Sequence, residues 1–262
     1  MSDGILLNFE DGVATITFNR PQRRNAITYG MWQELIEIAQ KMEQDDSVRV
    51  VVVTGAGSDA FSAGADIGDF EEFRSNSQQA RVYAEAFEGA LDAFGAMSKP
   101  SIAMIRGYCL GGACELTTAL DLRIASENSR FAVPVARMGI LVGYKEMRRL
   151  IQLLGVGNAR YLLLTGRQFG ASEMLNMGLV NIVVSDNDLE DSVKKLALEI
   201  ASNAPLSHQG HKRIWEQVLD NPSLSGLSDS DVDFQLANFD SEDFREARTA
   251  FMEKRPPVFK GK

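Results

Sequence analysis

The sequence predicts an α/β protein. Strand-like and helix-like segments mix up to about Ser185 and helices dominate after it, a pattern that puts an α/β core ahead of a helical C-terminal portion. Two glycine-rich turns, residues 55–68 and 107–112, each follow an apolar strand-like run. Of the 262 residues, 45% are apolar and 24% charged, which suits one large domain, or one domain with an appendage, around a real core.

Taken in order, residues 5–9 and 13–18 read as strands joined by Asp11-Gly12, a good hairpin turn. Asn19-Arg-Pro-Gln-Arg-Arg-Asn25 is a basic loop. Thr28 can cap a helix whose apolar stripe is Met31, Leu35, Ile38 and Met42. Residues 50–53 are continuously apolar and β-branched, as in a strand buried on both faces. A polar segment, 69–79, is expected to be mobile, and 81–97 to be helical. Short strands are expected at 102–105, 121–125, 131–135 and 179–184. Helices are expected at 145–154, 157–164 and 172–177, the last stopping at Gly178, and from Asp188 onward with breaks at Pro205, Asn221-Pro222 and Pro256-Pro257. No internal repeat or low-complexity tract is present.

The net charge of −9 argues against a general nucleic-acid or anionic-membrane role. No apolar run reaches transmembrane length, and residues 1–9 lack the basic and apolar regions of a secretory signal. Cys109 and Cys114 do not suggest a disulfide framework. The expectation is a soluble, cytoplasmic protein in a reducing compartment.

The stretch Gly107-Tyr-Cys-Leu-Gly-Gly-Ala-Cys-Glu-Leu116 sits at a strand-to-helix junction. Glycines there let backbone approach a ligand closely, and the first N–H groups of a helix lack partners and favour negative charge. Gly112 can therefore aim an N–H at an anion or a developing oxyanion, with Glu115 one turn in. A buried glycine turn with a capping glutamate explains the same residues, and the stretch alone leaves both open.

Other motifs are weaker. Gly55-Ala-Gly57-Ser-Asp-Ala60 fits a dinucleotide fingerprint after an apolar strand, but another glycine, Gly64, follows where a clean helix should begin. Ala60-Phe-Ser-Ala-Gly64 imitates a nucleophile elbow, yet the only histidines, His208 and His211, lie on a C-terminal polar helix. Three residues apart, they could share a metal, but spacing suggests no third ligand, so no metal site is expected. Cys114 reads as a small core residue.

Longer patterns are more specific. Ala60-Phe-Ser-Ala-Gly-Ala-Asp-Ile67, together with Lys99-Pro-Ser-Ile-Ala103 and the Gly107 to Leu116 stretch, resembles the two signature regions of the crotonase, or enoyl-CoA hydratase/isomerase, superfamily. The likeness extends to Asn19-Arg-Pro21, Asn25-Ala26, Thr165-Gly166, Gly178-Leu-Val-Asn181 and Phe251-Met-Glu-Lys-Arg255, nearly the whole chain.

The resemblance implies a spiral of ββα turns over residues 1–200 and a helical region, 201–262, that mediates trimerisation, often as a dimer of trimers. It implies an acyl-CoA thioester as substrate and no cofactor beyond the coenzyme A that the substrate carries. The thioester oxygen would sit between the N–H groups of Ala65 and Gly112, with Glu115 as acid/base. Arg20, Arg23 and Arg24 would line the CoA nucleotide, and Ala26 would also belong to the substrate and CoA site. Ala63, Ala65, Asp66, Ile67 and Gly68 would follow the pantetheine and thioester. Phe251 and Lys254 would reach CoA bound to a neighbouring subunit. As a bare charge cluster, the arginine loop is also compatible with a solvated surface loop.

The sequence departs from the hydratase pattern at one place. The second acid/base glutamate should follow Pro134, and position 135 is Val135, which cannot transfer a proton. The next loop carries Tyr144, Lys145 and Glu146 where hydratases have small residues. The expectation is an enzyme acting through a stabilised enolate, with weak hydration of crotonyl-CoA unless another carboxylate, Glu146 first, fills the gap. Isomerisation, decarboxylation or C–C hydrolysis are the enzymatic alternatives, and a non-catalytic acyl-CoA-binding protein is the other class.

Overall fold

A computed structural model describes residues 4–262, so the first three residues of the stretch lacking a secretory signal lie outside it. β1 (Ile5–Glu10) and β2 (Val13–Phe18) form the expected antiparallel hairpin. Asp11 and Gly12 both take positive φ, 51° and 79°, as a tight two-residue turn requires. Thr28 Oγ1 accepts the Met31 N–H and caps α1 (Tyr29–Gln44), which buries the expected apolar stripe together with Trp32.

Three rounds of a strand–strand–helix unit follow. β3 (Val50–Gly55) leads to β4 (Ala60–Ser62), then α2 (Phe70–Phe73) and α3 (Ser77–Gly95). β5 (Ser101–Ile105) leads to β6 (Tyr108–Leu110) and α4 (Gly112–Thr117). β7 (Leu122–Ser126) leads to β8 (Arg130–Ala132), α5 (Val135–Met138) and α6 (Tyr144–Thr165). β9 (Phe169–Gly170), α7 (Ala171–Met177), β10 (Ile182–Val184) and α8 (Leu189–Ala201) complete the core. The C-terminal portion is helical: α9 (Pro205–Asp220), α10 (Asp229–Ala237) and α11 (Glu242–Glu253).

The first strand of each round joins a six-stranded sheet, β1-β2-β3-β5-β7-β10, and the second joins a four-stranded sheet, β4-β6-β8-β9. From β2 to β10 every pairing in the larger sheet is parallel. Both of its faces are covered, so residues 50–53 of β3 are all apolar: Val51 and Val53 enter the main core, while Val50 and Val52 pack with Ile102 and Ile124 against Leu189, Val193 and Ala197 of α8. This is the ββα spiral that the sequence led us to expect.

Several local expectations change. Segment 69–79 is largely helical, with the Asn76 side chain accepting the N–H groups of Gln78 and Gln79 at the start of α3. The strand expected over 131–135 ends at Ala132, and Val135 opens α5. The two helices expected over 145–164 are one element, α6, broken in φ/ψ at Gly155 (φ 68°). The strand expected from residue 179 begins at Ile182, because Leu179 and Val180 both give their N–H groups to Met174 O and close α7. The break expected at Pro205 lies between Ala201, where α8 ends, and Pro205 itself, which starts α9, where a missing N–H costs nothing. After Gly57 the chain enters β4 instead of a helix, which removes the helix N-terminus that a dinucleotide fingerprint needs.

Candidate active site

The two glycine turns meet because their strands are neighbours. β3 pairs with β5 and β4 with β6, so the loops that leave them run side by side. Gly64 (φ 92°) lies against the second turn: a Cβ on it would sit 2.5 Å from Leu110 O and 3.3 Å from Gly112 N. Ile27 bridges to Ala65, giving its N–H to Gly64 O and taking the Asp66 N–H, both at 2.8 Å. That pattern leaves the Ala65 N–H on the opposite edge. Gly112 opens α4, where a helix has no internal acceptor for its N–H. Among the described residues, neither the Ala65 nor the Gly112 N–H has a backbone acceptor. Two donors so placed can hold an oxygen that carries negative charge.

Glu115 lies one turn into α4 and is 6% exposed. Among the described residues its carboxyl group makes no hydrogen bond or ion pair. Burial, and then the nearby charge of Glu146, push its pKa up to about 7, against a weaker pull from Arg74. A carboxyl group that titrates near neutrality can both take and give a proton. Val135 packs, half-buried, against the main core and contributes an apolar surface.

Aromatic rings stand behind Gly112. A Cβ there would meet Phe87 at 3.1 Å and Trp32 at 3.5 Å; these two rings pack edge to face at 5.0 Å, and Trp32 Nε1 donates to the Tyr83 hydroxyl at 2.8 Å. The Arg74 guanidinium lies over the rings of Phe70 (4.6 Å) and Tyr83 (4.8 Å). Neither Arg74 nor this ring cluster was singled out from the sequence. The available signal was the one-turn spacing of Tyr83 and Phe87 on α3.

The basic loop adjoins the first turn, but its arginines differ. Arg20 is committed: Nη1 pairs with Asp66 at 2.6 Å and donates to Ala26 O at 2.7 Å. Burial alone would raise the Asp66 pKa, yet the hydrogen bonds from Arg20 and the Gly68 N–H hold it below the ordinary carboxylate range. Arg23 is exposed, and Arg24 stacks over Tyr108 at 5.0 Å. Ala63 N–H donates to Arg24 O at 2.8 Å, and Ile67 stands 72% exposed beside Gly68. Arg20, Arg23, Arg24, Ala26, Ala63, Ala65, Asp66, Ile67, Gly68, Gly112 and Glu115 therefore occupy one region. Phe251 and Lys254 do not join it: they lie at the end of α11, with Phe251 82% exposed.

Sequence reading also passed over Asn25 as an organiser. It is fully buried with φ 55°, its Nδ2 donates to Ala56 O and Ala60 O, and its Oδ1 accepts the Arg20 N–H, which locks the basic loop to the first turn. Ser62 is buried with its Oγ accepting the Gly64 N–H, unlike an exposed nucleophile. Both cysteines are buried free thiols, and burial pushes Cys109 well above the usual thiol value. His208 Nε2 lies 3.2 Å from Ile200 O, and His211 stacks on Trp215. Among the described residues no cluster of His, Cys, Asp or Glu could hold a metal ion, and no helix is long and apolar enough to cross a membrane.

The sequence pattern of the enoyl-CoA hydratase/isomerase family matches residues 8–262. The chain belongs to that family. It is 35% identical to the short-chain-enoyl-CoA hydratase of Clostridium acetobutylicum, over 97% of this chain and 96% of that one. It is also 35% identical to the carnitinyl-CoA dehydratase of Proteus mirabilis over the full length of both. Among solved structures, an enoyl-CoA hydratase/carnithine racemase from Magnetospirillum magneticum superposes with a TM-score of 0.96 at 36% identity, covering 100% of this chain and 97% of that one. The enoyl-CoA hydratase of Bacillus anthracis gives 0.89 at 30% identity, covering 99% and 100%. Enoyl-CoA hydratase/isomerase family members act on acyl-CoA thioesters, and this chain is an enzyme of that family.

Proposed function

We propose that this enzyme forms and consumes a thioester enolate, with the Ala65 and Gly112 N–H groups on the thioester oxygen and Glu115 as acid/base. One observation carries the reading: two backbone donors without backbone acceptors among the described residues lie in adjoining turns, and a buried, unpaired carboxyl group sits one helical turn beyond. Enolisation moves negative charge onto the thioester oxygen, so donors already in place favour the transition state over the ground state. Arg23 and Arg24 are the basic groups available to the CoA phosphates, since Arg20 already holds Asp66. Phe251 and Lys254 would serve CoA on a neighbouring subunit of a trimer or hexamer, and the compartment would be the cytoplasm.

Val135 favours a second reading of the product: isomerisation, decarboxylation or C–C hydrolysis through the same enolate, without hydration. Both readings are tested by incubating the pure protein with a panel of acyl-CoA thioesters, crotonyl-CoA included, and identifying products by mass spectrometry. Glu115→Gln should lower kcat by about 10²–10⁴ with little change in thioester affinity. Full activity in that variant removes Glu115 from the mechanism. Binding of the thioesters without any turnover would make the chain a non-catalytic acyl-CoA-binding protein.

A further inference from the structure

We propose that Glu146 supplies the second carboxyl group of this site, in place of a glutamate at position 135. The proposal rests on the acyl-CoA reading above. Glu146 is the third residue of α6, and its side chain folds back over Gly143, where a Cβ would overlap Oε2. It is 1% exposed, and its Oε1 has no hydrogen-bond partner. A carboxylate buried for structural reasons looks different in this same chain. Asp243, 4% exposed, accepts the N–H groups of Lys260 at 2.7 Å and Gly261 at 2.9 Å. A buried carboxylate oxygen without a hydrogen bond is costly, so the Oε1 of Glu146 marks a place where a ligand or a proton is expected.

The neighbouring charges do not supply what is missing. Arg149 Nη1 stays 3.9 Å from Glu146 Oε1, beyond hydrogen-bond reach, because Nη2 is bound to Asp92 at 2.6 Å. Lys145 also goes to Asp92, at 2.5 Å, and lies 3.8 Å from Glu88. Both basic groups thus hydrogen-bond to an acid of α3, while Arg149 Nη1 remains an ion-pair neighbour of Glu146 with no hydrogen-bond partner of its own. Helix α3 links the two places: Phe87 stands behind Gly112, and Glu88 lies beside Gly143, where a Cβ would meet its Oε1 at 3.4 Å. The Glu146 charge accordingly helps to raise the Glu115 pKa, after burial and against Arg74. Burial raises the Glu146 pKa, and Glu88 and Asp92 add to that, against its own backbone N–H and Arg149. Burial and like charge both disfavour ionising the two carboxyl groups together, and a pair that shares one proton offers one acid and one base.

Hydration of an enoyl thioester needs that division. The base takes a proton from water as its oxygen bonds to the β carbon. The C=C π electrons move toward the thioester, and the acid delivers a proton to the α carbon. The pair ends with one proton as it began, and nothing is oxidised or reduced.

The test uses crotonyl-CoA with the wild-type protein and Glu146→Gln. Wild type should hydrate it at an ordinary hydratase rate, and the variant should lose about 10²–10⁴ in kcat with KM little changed. Without substrate, titration of the ¹³C-labelled glutamate carboxyl carbons by NMR should show the Glu115 ionisation moving down in the variant, a change that lost packing alone does not produce. Gly143→Ala, which displaces Oε2 without touching backbone, should reproduce part of the kinetic loss, and Glu146→Asp should restore part of it. Unchanged kcat and unchanged Glu115 titration in Glu146→Gln would overturn the proposal and leave the acyl-CoA reading standing. Failure of the folded wild type to hydrate crotonyl-CoA, while it converts another thioester, also overturns it. If wild type neither converts nor binds any thioester, the acyl-CoA reading itself falls.

Discussion

The two glycine turns and the segment from α5 to the first turn of α6 border the site by opposite means. At the turns, backbone meets backbone: Gly64 touches the Leu110 carbonyl, Gly107 (φ 65°) has no room for a Cβ beside Asp59 O, and buried Asn25 ties the basic loop to Ala56 and Ala60 at the start of the first turn. In the segment over residues 135–146, side chains diverge over short distances. Leu141 and Tyr144 are 93% and 97% exposed, while Glu146, two residues beyond Tyr144, is sealed from solvent. The difference teaches that the two turns can close on each other only where residues lack a Cβ, once strand pairing has brought them side by side. The ionisation of the buried carboxyl groups is set first by burial and then by charges that arrive from α3, α4 and α6.

Three experiments press on that contrast. The largest effect is expected at the turns, where Gly112→Pro removes one donor and should lower kcat by about 10²–10³. Proline is tolerated at the first position of a helix, but its ring must fit beside Phe87, so circular dichroism should precede the kinetics. A folded Gly112→Pro protein with wild-type kcat would show that the turn is architecture alone.

The next effect is thermodynamic and belongs to the charged side. Glu115 titrates near 7 in the folded state against about 4.5 when unfolded. A carboxyl group raised by folding favours the folded state while protonated. Its contribution is full below about pH 4.5 and is lost as pH rises through about 7, roughly 3 kcal/mol at ~1.4 kcal/mol per pH unit. Glu115→Gln should therefore be more stable than wild type at pH 8, by up to about 3 kcal/mol, and not at pH 4.5. Urea denaturation at the two pH values reads this directly, and equal stability differences at both would mean that Glu115 is not strained by its charge.

The smallest effect is expected for Val135→Glu. With Glu146 already in place, kcat/KM for crotonyl-CoA should change less than about tenfold, and some stability should be lost because a carboxyl group enters an apolar surface. A gain of a hundredfold or more would instead restore the expectation drawn from the sequence, that position 135 holds the missing group.

Much of the scaffold was legible because its signals are local. The Asp11-Gly12 hairpin, the Thr28 cap and the unbroken valines of β3 each carry their conformation in a few neighbouring residues. The glycines at 64, 107 and 112 likewise announced close backbone approach. The residues that failed were those whose setting depends on partners far along the chain. Arg20 reads as a free cation until Asp66 is brought beside it, and Arg74 reads as part of a mobile polar stretch until Phe70 and Tyr83 take its guanidinium. Val135 looked like the end of a strand because its apolar character continues from β8, whereas pairing stops at Ala132. Glu146 stood out in the sequence as a departure from the small residues of hydratases and as the first candidate for the missing carboxylate; its burial follows from the packing of α6, which no local pattern encodes.

The fit of Glu146 over Gly143 has an evolutionary corollary. The two positions form an epistatic pair. With the present rotamer of Glu146 there is room only for glycine at 143, so a larger residue there must push the carboxylate aside. The effect of a substitution at 143 is therefore expected to depend on the side chain three positions away. A deep mutational scan should find position 143 permissive in a Glu146→Ala background and restrictive in the wild type.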